Sequence, residues 1–167
     1  MDYKEVEVYG RKVRVYDETH IEVEHYKVKD NWKRVRLSGN KKGHPYYEIT
    51  ITNNGIGHVM KLHRLVFYAH NPSWDIYHNP RDNVIDHINN DCLDNRIENL
   101  RNITQQENNF NSKRKGYCWH KHQKKWIAQI SVRKKGICLG YFDKEEDARD
   151  AYLTAKAKYH IIVAKTF

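Results

Sequence analysis

VIDHINNDCLDNRIENLRNITQQENN, residues 84–109, opens on two β-branched residues and runs straight into a carboxylate and an imidazole, Asp86-His87. Val84 to Asp86 reads as a short strand, and the remainder is crowded with Asn and Asp. Neighbouring strand residues point to opposite faces, so Asp86 and His87 can serve one site only where the strand ends and the chain turns. A loop rich in Asn and Asp favours that turn. Thr104 with Glu107 forms a capping box, which predicts a helix from about 105 carrying Asn108 in its first turns. The side-chain chemistry suits work on a phosphodiester. Histidine titrates near neutrality and can take a proton from water. Asp and Asn oxygens suit a hard ion such as Mg²⁺, which takes few protein ligands.

Upstream, the chain reads as mostly β. Residues 5–16 alternate Val with charge around Tyr9-Gly10, a hairpin pattern, and 32–37 alternate again. YYEITIT (46–52) and IGHVMKL (56–62) flank Asn53-Asn54-Gly55, a second hairpin signal. HRLVFYAH (63–70) is a short helix candidate stopped by Asn71-Pro72, and a polar loop leads on to residue 84. His63 is read as a core or capping histidine. Asn89, Asn90, Asp91 and Asp94 are read as loop formers, and Cys92 as a small loop residue.

Downstream, the charge changes. The chain has 167 residues, 39% hydrophobic, and a net charge of +9. Residues 1–112 balance 16 basic against 16 acidic side chains, whereas 113–167 hold 14 basic and 5 acidic. Such asymmetry is the footprint of a nucleic-acid-binding segment joined to a neutral one. Strand-like runs at 117–121, 126–133 and 137–142 end at Asp143, expected as an N-cap with Glu146 three residues on. Ala148, Ala151, Tyr152, Ala155 and Tyr159 then recur at helical spacing as one apolar face. Along the second strand Trp126, Ala128, Ile130 and Val132 form the face for that helix to cover. Ile127, Gln129, Ser131 and Arg133 form the other face.

Several classes are disfavoured. The longest aliphatic run, Ile161 to Ala164, is far short of a membrane span, and the N-terminus lacks a signal-peptide core. Cys92, Cys118 and Cys138 make no CxxC pair and leave an odd count, which argues against a zinc knuckle or a disulfide framework. His120 and His122 have no third ligand nearby and are read as phosphate contacts. The expectation is a cytoplasmic protein with no membrane partner.

Asp86-His87, Asn99 twelve residues after the His, and Asn108 nine further on resemble the HNH endonucleases in their H-N-N form, often encoded as homing enzymes. With HRLV upstream, the resemblance covers 63–111. It implies that His87 is the general base and Asn99 the structural Asn that pins the loop and orients it. Asp86 and Asn108 would ligate one Mg²⁺ or Mn²⁺, Asn108 standing where a last His is commoner. Products with 5′-phosphate and 3′-hydroxyl ends would follow.

From Lys115-Gly116-Tyr117 through WIAQI, LGYFD and EEDARDAY, residues 114–160 resemble an AP2-type DNA-binding domain. In that family the sheet enters the major groove and the helix supports it from behind. Lys113, Arg114, Lys115, His120, Lys121, Gln129, Ser131, Arg133, Lys134 and Lys135 are the expected DNA contacts, Lys124 and Lys125 being further cations near strand ends. The usual Arg and Trp of the DNA face are missing, so no target sequence carries over.

The expected fold is α+β: N-terminal β-hairpins leading into a ββα-metal nuclease core, then a three-stranded antiparallel sheet on one helix. The expected division is 1–111, a basic linker at 112–116, and 117–167. The expected function is site-specific, homing-type cleavage of double-stranded DNA by a monomer, encoded by a phage or mobile element. Two alternatives stay open: a DNA-binding regulator with an inactive nuclease core, and an RNA-binding module. The second suffers because the basic face lacks a row of stacking aromatics.

Overall fold

A computed structural model describes residues 2–41, 44–78, 81–112, 114–132 and 135–166. Lys113, Arg133 and Lys134 therefore lie outside the described residues. The chain is mixed α+β, with antiparallel sheets and three α-helices among those residues. It forms two compact units, Met1–Ile103 with Ala164–Phe167, and Thr104–Val163. The stretch 112–116, expected as a linker, lies inside the second unit. No described helix is long and apolar enough to cross a membrane.

In the first unit, β1 (Lys4–Val8) and β2 (Arg11–Val15) meet at Tyr9-Gly10, whose φ values are 51° and 68°. Two positive φ values make the turn whose twist matches a hairpin. Glycine adopts this conformation freely, and tyrosine does not. Contacts offset the cost: the Tyr9 N–H donates to the Tyr77 hydroxyl at 2.9 Å, and its ring stacks on His58 at 4.1 Å. β3 (Ile21–Glu24) and β4 (Trp32–Arg34) complete a four-stranded antiparallel sheet. The alternation at 32–37 yields only those three strand residues. β5 (Ser38–Lys41), β6 (His44–Asn53) and β7 (Ile56–Lys61) form a second sheet, turned at Asn54-Gly55 with φ of 49° and 78°.

α1 (Leu62–His70) follows β7 directly and buries Leu62, Leu65, Val66 and Phe67 in a core with Val8, Val13, Ile21, Ile49 and Ile51. Beyond it, the Arg64 guanidinium donates to the Ile76 carbonyl at 2.7 Å, and Asn83 accepts from the Trp74 indole N–H. That loop delivers β8 (Val84–His87), paired antiparallel with β9 (Leu100–Ile103); Ile85 and Leu100 join the same core.

The second unit begins at Thr104, which caps α2 (Gln105–Asn111) through the expected box. Its hydroxyl accepts from the Glu107 N–H at 3.2 Å, and Glu107 accepts the Thr104 N–H at 2.8 Å. β10 (Tyr117–His120), β11 (Lys125–Val132) and β12 (Lys135–Phe142) form an antiparallel sheet in that order, and α3 (Glu145–Tyr159) packs on it. Ala128, Ile130, Ala148, Tyr152 and Ala155 are its core, edged by Trp126 and Val132.

Three expectations need correction. Asp143 does not cap α3; Lys144 holds that position without a side-chain cap, and Asp143 instead faces Lys125 at 3.3 Å. Glu145, Glu146 and Asp147 still place negative charge at the positive helix end. Tyr159 falls in the last turn and is 39% exposed rather than covered. Ile127 lies on the face away from α3 yet is buried, with Cys118 and Tyr141 as its cross-strand neighbours.

Gly116 sits tight against the core of this unit: a Cβ there would meet the Tyr152 ring at 2.0 Å. Gly116→Ala should therefore cost about 1–3 kcal/mol through overpacking. Chemical denaturation read by tryptophan fluorescence should show a lowered midpoint. An unchanged midpoint would mean that Tyr152 is not held where described.

Candidate active site

Burying a carboxylate is costly without a partner, and β8 buries Asp86 and His87 in succession. Alternation sends them to different neighbours. Asp86 stands opposite Arg101, whose Nε and Nη2 donate to Asp86 Oδ2 at 2.9 and 2.8 Å. The carboxylate is 6% exposed and the guanidinium 18%, so this is a largely buried ion pair across the ribbon.

The His87 imidazole Nε2 lies 3.0 Å from Asn95 Oδ1. The His63 ring lies 5.0 Å from the His87 ring, with the planes at 81°, and the Tyr46 ring lies at 6.0 Å. His63 is thus buried, as a core histidine would be, but no side chain caps α1, and its ring abuts the candidate base. Burial holds its pKa well below the ordinary histidine value, with the charges of His87, Lys61 and Arg64 adding to the effect, so His63 stays neutral. Burial also pushes the Tyr46 hydroxyl up to about 12, helped by a hydrogen bond with the Cys92 thiol and by the nearby Cys92 and Asp86 charges.

The chain turns immediately after His87. The Asn90 N–H donates to the His87 carbonyl at 3.0 Å, and Asn90 takes φ 61°, a conformation that Asn tolerates. Asn99 closes the loop from the other side. Its Oδ1 accepts the Asn89 N–H at 3.0 Å, while its Nδ2 donates to Asn89 Oδ1 at 3.0 Å and to the Asp94 carbonyl at 2.7 Å. Asp94 in turn holds Arg96 through two bonds of 2.8 Å, which keeps its carboxyl down at about 2. Asn99 therefore joins loop backbone and side chains, while the side chain bonded to the imidazole Nε2 is Asn95.

Asn108 lies on α2 in the second unit, its N–H bonded to the Thr104 carbonyl at 3.0 Å. In that unit Gln129 and Ser131 are exposed on β11, on the face opposite α3. His120 ends β10 with its ring 5.7 Å from Tyr141, and Lys121 is exposed in the turn that follows. Arg114 and Lys115 are exposed ahead of β10, and Lys135 opens β12. Lys115 has Glu145 within 3.7 Å.

Sequence reasoning missed Asn95, Arg101 and Tyr46. Asn95 is one amide among many in its loop, and nothing local distinguishes it. Arg101 becomes visible only once the register of β8 against β9 is known. Tyr46 sits in a hairpin strand that carries no catalytic pattern.

Among the described residues no three His, Cys, Asp or Glu side chains gather as a metal cage. A hard ion does not need one: Mg²⁺ binds through one or two protein oxygens with water filling the remaining positions. In comparisons with known proteins, residues 60–110 match the HNH endonuclease family. No curated protein and no solved structure matches the chain. The matched segment holds α1, β8, the loop closed by Asn99, β9 and Asn108.

Arg101→Met would remove the guanidinium from a buried carboxylate and should cost about 3–5 kcal/mol of stability. Adding Asp86→Asn should recover much of that loss, because the charge itself is then gone. Denaturant unfolding of the two variants measures both effects. Equal midpoints for wild type and Arg101→Met would show that the pair contributes nothing.

Proposed function

We propose that this chain is a metal-dependent DNA endonuclease of the HNH class, with a homing-type role and a C-terminal AP2-like DNA reader. The observation that carries this reading is a buried histidine at the end of β8, held by an amide and followed by a tight turn, within a segment that matches the HNH endonuclease family. In the proposed reaction His87 takes a proton from water. The oxygen bonds to phosphorus, and the 3′-oxygen leaves and takes a proton from solvent. Asp86 is the proposed ligand for Mg²⁺ or Mn²⁺, and Asn108 is assigned as the second ligand on the sequence motif alone. The ion supplies positive charge against the phosphate oxygens. Asn99 serves the base indirectly, by fixing the loop that follows it. The proposed substrate is double-stranded DNA and the acting species a monomer.

In the second unit, Gln129 and Ser131 are proposed to reach base edges, because they lie on the sheet face opposite α3. Arg114, Lys115, His120, Lys121 and Lys135 are proposed to touch phosphates, as are Lys113 and Lys134, while Arg133 is proposed to reach a base. One observation favours a second reading, a DNA-binding regulator with an inactive core: two hydrogen bonds from Arg101 neutralise the very carboxylate proposed as metal ligand.

His87→Ala distinguishes the two readings. It should lower the cleavage rate by about two to four orders of magnitude, while gel-shift affinity stays within about twofold because the residues proposed to read DNA belong to Thr104–Val163 and His87 does not. Undiminished cleavage by His87→Ala would remove this histidine from the reaction. Absence of cleavage by the wild type with Mg²⁺ or Mn²⁺ would favour the regulator.

The two kinds of DNA contact separate by their salt response. Lys121→Ala should weaken binding to all sequences alike and reduce the salt slope by about one. Gln129→Ala should instead relax preference at one base pair, at a cost of about 1–3 kcal/mol of discrimination. Binding-site selection from a randomised duplex library measures the second effect. An unaltered preference for Gln129→Ala would move base recognition off this face.

A further inference from the structure

Asn95 is 1% exposed although it belongs to no helix or strand. Its two amide ends have different neighbours. Nδ2 donates to the Leu93 carbonyl at 3.2 Å, and Oδ1 lies 3.0 Å from His87 Nε2. Turning the amide over would set Oδ1 against the Leu93 carbonyl, acceptor against acceptor. The backbone carbonyl therefore decides which end faces the imidazole. An amide oxygen can only accept, so Nε2 of His87 carries the hydrogen. A neutral imidazole has a single N–H, and its basic nitrogen is then Nδ1.

We propose that Asn95 is a positioning residue: it sets His87 in the Nε2–H form and makes Nδ1 the nitrogen that receives the proton from water. This rests on the reading of His87 as general base given above. Two features support it. Asn95 is itself neutral and cannot take the proton in place of the base. The His63 ring, edge-on at 5.0 Å, packs against the imidazole and limits its rotation. Asn99 cannot fill this role, since its amide is bonded to Asn89 and Asp94.

The test uses the full-length, metal-free, ¹⁵N-labelled chain at about pH 8, where an ordinary imidazole is neutral. Two-bond ¹H–¹⁵N spectra report which ring nitrogen carries the hydrogen; the His87 signals are identified by their loss in His87→Gln. The wild type should show a protonated Nε2 and a bare Nδ1. Asn95→Ala should show both tautomers, and its single-turnover cleavage should fall about 10–100-fold, the scale found for residues that orient a reacting group through a hydrogen bond. Its DNA affinity should stay within about twofold. Asn95→Asp keeps an acceptor facing Nε2 and should retain the Nε2–H form, at some cost in stability because its second oxygen meets the Leu93 carbonyl. This variant and the wild-type spectrum decide the matter should Asn95→Ala fail to fold. A hydrogen on Nδ1 in the wild type overturns the proposal, as does full cleavage by a folded Asn95→Ala. If the wild type does not cut DNA, the nuclease reading falls, and the spectra alone decide whether Asn95 sets the tautomer.

Discussion

The ion pair between Asp86 and Arg101 constrains everything around the candidate site. A carboxylate taken out of water costs several kcal/mol, and only a well-placed cation with good hydrogen bonds offsets it. Both guanidinium bonds reach one oxygen across the ribbon, so the pair holds only in the observed register. A slip of β9 by one residue would exchange the faces of all its side chains. Asp86 would then face Leu100 or Asn102, and Arg101 would turn toward the core. With the register held, the strand ends at His87 and the turn begins where the imidazole needs it.

The crowd of amides in the loop has a physical explanation. The segment between β8 and β9 is almost without regular structure, and its backbone groups need partners that helix or sheet would otherwise supply. Charged side chains would satisfy them only at a desolvation cost, whereas Asn offers a donor and an acceptor without charge. Asn89, Asn95 and Asn99 serve in this way: two close the loop on itself and the third reaches the imidazole. A loop fixed in advance by such bonds leaves little backbone to order around the imidazole.

What was legible in the sequence was local chemistry. Asn54-Gly55 announces its turn through residues that accept positive φ, as Gly10 does in the first hairpin, and Thr104 with Glu107 announces α2 through a reciprocal bond three residues apart. The apolar face of β11 against α3 follows from alternation. Distant partners were not legible. Asn95 and Asn99 look alike in the sequence, and only folding places one on the imidazole and the other on the loop. His63 meets His87 because α1 packs beside β8, which no spacing reports. At Asp143 the capping signal misplaced the helix start by one residue, since Lys144 holds the N-cap position, and at Ile127 its position opposite Cys118 and Tyr141 buried a residue on the face expected to be polar.

Cleavage of DNA by the purified protein tests the proposed nuclease activity, using supercoiled plasmid and a randomised linear duplex library with Mg²⁺, with Mn²⁺, or with excess EDTA. The expected result is nicked or linear plasmid and a recurrent cut position in the library with either ion, ends bearing 5′-phosphate and 3′-hydroxyl, and intact DNA in EDTA. Intact DNA under all three conditions, from protein that still shifts the same duplexes in a gel, would contradict it.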